Sequence, residues 1–166
     1  MNEYRHILVA FDGSDDSKSA LETAEYIAKF SDAHLTVAYV HEPSTDAFAH
    51  AITAQPGNTN YYQSPLTGDL VPTPDANLGQ SDTNQQDYTP DHVISKARVQ
   101  LSHIVEADYE ILTGKPANEI TDFAKGKDID LIIIGNRGLN GIKEFVLGSV
   151  SKKVVDEATC PVLVVK

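Results

Sequence analysis

The sequence predicts an α/β protein built on a five-stranded parallel sheet with helices on both faces. Three observations carry this. Short apolar runs recur along the chain, apolar on both faces, as in strands buried from both sides. Between them lie stretches with apolar residues at helical spacing. Gly, Ser or Pro punctuates most junctions. The alternation is β-α-β-(loop)-α-β-α-β-α-β, which closes into a parallel sheet with helical crossovers.

The first strand is Ile7-Leu8-Val9-Ala10-Phe11, ending at Asp12-Gly13-Ser14. Ser14, Asp15 and Asp16 are candidate N-caps and favourable first-turn charges. Ala20, Leu21, Ala24, Ile27 and Ala28 give the first helix its apolar stripe. Leu35 to Val40 is the second strand, which completes a βαβ unit. Then the pattern collapses. From Pro43 to Pro90, 33 of 48 residues are Pro, Gly, Ser, Thr, Asn, Gln or Asp, and six of the eight prolines lie there. Loops beyond about 12–15 residues are uncommon in compact domains. Ala47 to Ile52 can form a helical turn, and Tyr61 and Tyr62 can anchor the segment; no further structure is expected of it.

Order returns at Asp91-His92. Ile94, Ala97, Leu101 and Ile104-Val105 predict a helix from about His92 to Val105. Tyr109 to Leu112 is the third strand. Gly114-Lys115-Pro116 follows, with Pro116 suited to a helix's first turn. Ile120, Phe123 and Ala124 form that helix's buried side. Leu131 to Ile134 is the fourth strand, followed by a glycine-rich loop from Gly135 to Gly148. A helix runs from Ser149 to about Glu157, and Val162 to Val165 is the fifth strand. The whole reads as one domain, residues 1–166, with a polar insert at about 43–90 between the second strand and the second helix.

Charge and composition exclude several functions. The 166 residues carry a formal net charge of −11 and no basic run, which argues against binding nucleic acid or anionic membrane by bulk charge. The acidity is local. No Lys or Arg lies between Lys29 and Lys96, a gap holding eight acids; the other 16 acids face 13 bases. The remainder of the chain can therefore host an anion site. A single cysteine allows no intramolecular disulfide and fits a reducing, cytoplasmic setting. The apolar runs fall short of the ~20 residues of a membrane helix. Met1 to His6 is polar and leads straight into a strand, so no signal peptide is expected.

In parallel sheets ligands sit beyond the carboxyl ends of the strands, near the switch in strand order. That puts Asp12, Val40-His41 and Gly135 onward on one rim. Gly135-Asn136-Arg137-Gly138 is followed by nine residues and then Gly148-Ser149. Such glycines let backbone N–H groups approach an anion. Ser149 opens a helix whose positive end suits a phosphate, and Arg137 adds charge. The same glycines also fit a merely flexible connection. The spacing is neither a Walker A loop nor a dinucleotide fingerprint, because Gly114-Lys115 lacks the upstream glycine and the Ser/Thr, and Asp12-Gly13-Ser14 lacks the Gly-x-Gly-x-x-Gly run. The six histidines show no ligand spacing, Cys160 has no activating neighbour, and no catalytic triad or paired acid stands out.

These residues carry a resemblance. The chain resembles the ATP-binding branch of the universal stress proteins, marked by Gly, two residues, Gly, nine residues, then Gly-Ser/Thr. Gly135, Gly138, Gly148 and Ser149 match without a gap. Agreement extends to Ile7 through Asp12, to Gly114 with Pro116, and to the ending Thr159-Cys160-Pro161-Val162-Leu163-Val164-Val165. It covers residues 1–42 and about 91–166.

The resemblance implies strand order 3-2-1-4-5, in an adenine nucleotide alpha hydrolase-like, Rossmann-like sandwich. It implies that Asp12 binds the ribose while Ala10, Phe11 and Val40 enclose the adenine, with Gly114 beside the base. Ile134 precedes the phosphate loop, and Gly135, Arg137, Gly138, Gly148, Ser149 and Val150 take the phosphates. The cofactor implied is ATP with Mg²⁺ held through its phosphates rather than by a protein metal site. A homodimer through Val162 to Val165 is implied too, and an apolar final edge strand is physically suited to pairing. The insert departs from the family's shorter connection; it can cover the nucleotide, offer a surface to a protein partner, or serve as a solvated spacer. Three functions stand open: a nucleotide-dependent regulatory module of the stress response, a slow ATPase or adenylyl-transfer enzyme, and a nucleotide-free interaction module. No catalytic residue is assigned, since no clear base is present to activate water.

Overall fold

The computed structural model describes residues 4–43, 61–63, 70–72, 89–101, 106–139 and 147–166. In chain order the elements are β1 (His6–Ala10), α1 (Asp15–Ser31), β2 (His34–His41), β3 (Tyr61–Gln63), β4 (Leu70–Pro72), α2 (Pro90–Gln100), β5 (Ala107–Thr113), α3 (Pro116–Gly126), β6 (Leu131–Gly135), α4 (Ser149–Glu157) and β7 (Val162–Val165). They fall into two units, one of Met1–Pro43 with Asp87–Lys166 and one of Ser44–Gln86.

The first unit is a parallel sheet in the order β5-β2-β1-β6-β7, which is the expected 3-2-1-4-5 order. Register is set by β1, which pairs Ile7 with Leu35 and Leu131, and Val9 with Val37 and Ile133. Side chains alternate across a strand, so β1 feeds two cores. Ile7, Val9 and Phe11 join Leu21 and Ala24 of α1 and Val93 and Ala97 of α2. Leu8 and Ala10 join Ile120 and Ala124 of α3 and Val154 of α4. Beyond His6, β1 is accordingly apolar and buried, and β6 is buried along its whole length. Each fully buried Leu, Ile or Val contributes about 1.5–3 kcal/mol relative to exposure.

Local chemistry fixes the helix ends. Ser14 is the N-cap of α1 and its Oγ accepts the Ser17 N–H at 3.2 Å, while Asp15 and Asp16 oppose the helix dipole. Asp32 ends α1 in a left-handed conformation, φ 54°. Pro116 opens α3 from its first turn, as its fixed φ and missing N–H favour. The second helix begins at Pro90 rather than His92, for the same reason. Its ladder ends at Leu101, and the remainder of its expected span, 102–105, lies outside the described residues.

In the second unit β3 and β4 pair antiparallel, Tyr61 with Pro72 and Gln63 with Leu70. A short ladder thus lies within the stretch where no regular structure was expected. The possible helical turn at Ala47 to Ile52 lies outside the described residues.

No helix among the described residues is long and apolar enough to cross a membrane. Cys160 is partly buried, and burial pushes its thiol above the ordinary value, so it stays protonated.

Candidate functional site

A cleft of about 830 Å³ opens at the carboxyl ends of β1, β2 and β6, bounded by the starts of α3 and α4. Its volume lies in the range of small-molecule sites, roughly 300–1,000 Å³. The cleft sits where the chain order across the sheet reverses, since β1 is flanked by β2 on one side and β6 on the other.

The first wall is the turn from β1 into α1. Gly13 takes φ +83°, a left-handed conformation that suits glycine. This lets the Ser14 N–H fold back to Asp12 Oδ1 at 2.9 Å, which orients the carboxylate. The other carboxylate oxygen, Oδ2, faces Gly138: a Cβ placed there would lie 2.7 Å from it. Asp12 and the glycine turn are therefore in direct juxtaposition across the cleft.

The turn after β6 forms the second wall. Gly135 packs against the start of α1 so closely that a Cβ would lie 2.8 Å from the Asp16 carbonyl carbon. Gly148 approaches the same turn from α4, where a Cβ would lie 2.8 Å from the Asn136 carbonyl oxygen. The Gly148 N–H donates to that oxygen at 2.9 Å. Gly148 thus serves close approach, and its amide is already engaged. The helical ladder of α4 begins with Lys152 N–H to Gly148 C=O at 2.8 Å, and the helix has no side-chain cap. The N–H groups of Ser149, Val150 and Ser151 precede that first bond, at the positive end of the helix dipole.

The floor and third wall are apolar and aromatic: Ala10, Phe11, Ala38, Tyr39, Val40, Ile120 and Ile134. Burial, and then the nearby Asp12 charge, push the Tyr39 hydroxyl above its ordinary value, so it remains a neutral phenol. Arg137 brings positive charge, while His41 and Glu42 stand at the end of β2.

Of the residues expected at a site, Ala10, Phe11, Asp12, Val40, Ile134, Gly135, Arg137, Gly138, Gly148, Ser149 and Val150 all line this one cleft. Gly114 does not. It has φ +147°, its N–H donates to the His41 carbonyl at 3.0 Å, and the Glu119 carboxylate packs against it. Gly114 therefore braces the end of β2 from outside the cleft. Sequence reasoning missed Ser17, Tyr39, Glu42, Ile120 and Ser151 as lining residues. Ser151 left a visible signal, a hydroxyl two residues after Ser149 in the first helical turn. The amino ends of the strands, away from the cleft, hold His34, whose Nε2 lies 2.9 Å from Asp108 Oδ2, with the His6 ring 5.8 Å away. Among the described residues no cluster of three or more His, Cys, Asp or Glu could hold a metal ion.

The chain is similar to known proteins along nearly all its length. Universal stress protein YxiE of Bacillus subtilis is 34% identical over 164 residues, covering 98% of this chain and 99% of that protein. The solved structure of universal stress protein UspA from Lactobacillus plantarum is 27% identical, covers 100% of both chains and superposes with a TM-score of 0.70. A universal stress protein solved in complex with cAMP, 21% identical, covers 99% of both chains with a TM-score of 0.66, which shows the shared fold. The model of the universal stress protein family matches residues 3–166. By that match and by the YxiE relationship, the chain belongs to the universal stress protein family.

Proposed function

We propose that the cleft binds an adenine nucleotide, ATP with Mg²⁺ held through its phosphates. The protein then acts as a nucleotide-dependent regulatory module of the stress response. One observation carries the reading: the Gly135–Gly138 turn and the uncapped start of α4 meet in a single cleft with an apolar pocket beside them. Glycine turns and helix N-termini suit polyphosphate, and apolar walls suit a base. The structure of a relative with cAMP supports a nucleotide of this class.

In this reading Asp12 takes the ribose and Ala10, Phe11, Val40 and Ile134 enclose the adenine. Arg137, Gly138, Ser149 and Val150 receive the phosphates. Gly135 and Gly148 permit the close approach of the two walls, and Gly114 holds the strand end beside the base. Asp12→Ala should weaken ATP binding about ten- to a hundredfold, since a hydrogen bond to a charged group is worth roughly 1.5–3 kcal/mol. Calorimetric titration measures it, and an unchanged affinity would remove Asp12 from the site.

The reading is a binder rather than a robust enzyme, because hydrolysis needs a base within reach of the attacking water. A slow ATPase is the second reading, favoured by His41 and Glu42 on the cleft wall. Phosphate release in proportion to protein concentration would select it. A reduced lone Cys160 and a supply of ATP both suit the cytoplasm. Residues 1–166 are taken as one universal stress protein domain, with the insert at about 43–90 available to a protein partner.

We also propose a homodimer through β7. Its inner side pairs with β6, through Ile132 N–H to Pro161 C=O at 3.0 Å and Asn136 N–H to Val165 C=O at 2.6 Å. Alternation then turns the backbone groups of Val162 and Val164 to the open edge, beside the exposed Leu163. Val164→Pro removes one outward donor and spares the β6 ladder. The wild type should run as a dimer by light scattering and the variant as a monomer of nearly unchanged stability. A variant that stays dimeric would place the interface elsewhere.

A further inference from the structure

Tyr39 and Asp12 line the cleft together. Among the described residues the Tyr39 hydroxyl has no hydrogen-bond partner, and neither has Asp12 Oδ2. The two residues come from neighbouring strand ends. Ala10 of β1 pairs with Ala38 of β2, and the Phe11 N–H donates to the Ala38 carbonyl at 2.9 Å. One step further along, Tyr39 stands beside Phe11, and both pack on the core under α1 and α2. Asp12 follows Phe11 directly, and its charge is near enough to act on the phenol. The Ser14 N–H holds Asp12 Oδ1 at 2.9 Å, which turns Oδ2 toward Gly138. Gly138 has no side chain to cover that oxygen.

The two groups are complementary. An ionised carboxylate only accepts hydrogen bonds, whereas a neutral phenol can donate one. Burial and the Asp12 charge keep the Tyr39 proton in place. A vicinal diol meets both demands, since one hydroxyl donates to the carboxylate while the other accepts from the phenol. We infer that Tyr39 is a specificity-determining residue of the cleft: with Asp12 it holds the two hydroxyls of a ribose, so the ligand class is a ribonucleotide with both its 2′ and 3′ hydroxyls free. The inference rests on the nucleotide reading above and adds a requirement on the sugar. A sugar lacking either hydroxyl leaves one protein group unmatched, and a site built to bond a hydroxyl rejects the analogue without it.

The test titrates wild type and Tyr39→Phe by calorimetry with ATP, 2′-deoxy-ATP and 3′-deoxy-ATP. Wild type should bind both deoxy nucleotides more weakly than ATP. One loss should be about ten- to a hundredfold and the other about two- to tenfold, because a hydrogen bond to a charged group outweighs one to a neutral group. Tyr39→Phe keeps the ring and removes only the hydroxyl. It should weaken ATP by the smaller factor, about two- to tenfold, and leave unchanged its affinity for the deoxy nucleotide with the smaller loss. A ring that only packs would show no such selectivity. If Tyr39→Phe weakens all three nucleotides alike, or none of them, the inference is overturned. Wild type that binds ATP and both deoxy nucleotides equally overturns it as well, whether or not the variant folds. Wild type that binds none of the three would instead refute the nucleotide reading itself.

Discussion

Gly138→Val is expected to lower ATP affinity at least about a hundredfold, roughly 2.8 kcal/mol, while the protein stays folded. The first side-chain carbon at position 138 would lie 2.7 Å from Asp12 Oδ2, inside the cleft. It would displace the carboxylate assigned to the ribose, and the remaining carbons would fill the space assigned to phosphate. Among the described residues, chain neighbours aside, the only atoms within 4 Å of that carbon belong to the Asp12 carboxyl group, and none is a core side chain. Gly148→Val makes the contrast. Its Cβ would meet the Asn136 carbonyl oxygen, a backbone atom in the joint between turn and helix, at 2.8 Å. That variant should lose thermal stability together with binding. Calorimetry with ATP and a melting curve on both proteins separate the two cases. ATP binding of normal strength by folded Gly138→Val would remove the turn from the phosphate site.

Ile133→Ala has the largest expected effect on the fold. Ile133 is fully buried in the centre of β6, pairs across to Val9 and Leu163, and packs in the core under α1. Truncating such a side chain costs about 2–5 kcal/mol, through lost transfer energy and the cavity left behind. For a chain of this length each kcal/mol shifts the melting temperature by roughly 2–4 °C, so a fall of about 10 °C is expected by calorimetry. β6 also ends in the turn that carries the site, so ligand-induced protection should shrink as the strand frays. A melting temperature within a degree or two of wild type would contradict the packing assigned to β6.

The parts of the fold with strong local chemistry were legible in the sequence. Val162 to Val165 and Ser149 to Glu157 match the structure to the residue, because Pro161 precedes the strand and Gly148 the helix. The start of α2 was set two residues late, since the apolar periodicity begins after the proline that opens the helix. The β3–β4 ladder escaped notice because each strand is three residues long and one ends on Pro72. Eleven of twelve expected site residues share the cleft because loop motifs at strand ends meet wherever the strands are neighbours in the sheet. What sequence could not resolve is the use of each glycine. Gly148 is among the residues expected at the phosphates, yet its N–H holds the Asn136 carbonyl, and Gly114, expected beside the base, does not line the cleft. A glycine permits close approach, a free amide or an unusual φ, and only the neighbours in space decide which.

Native mass spectrometry of the protein, before and after addition of ATP and Mg²⁺, reads ligand and assembly together. The expected spectrum is a dimer carrying one ATP per protomer, with or without Mg²⁺. A spectrum that stays free of nucleotide after ATP is added would contradict it and leave the cleft without its assigned ligand.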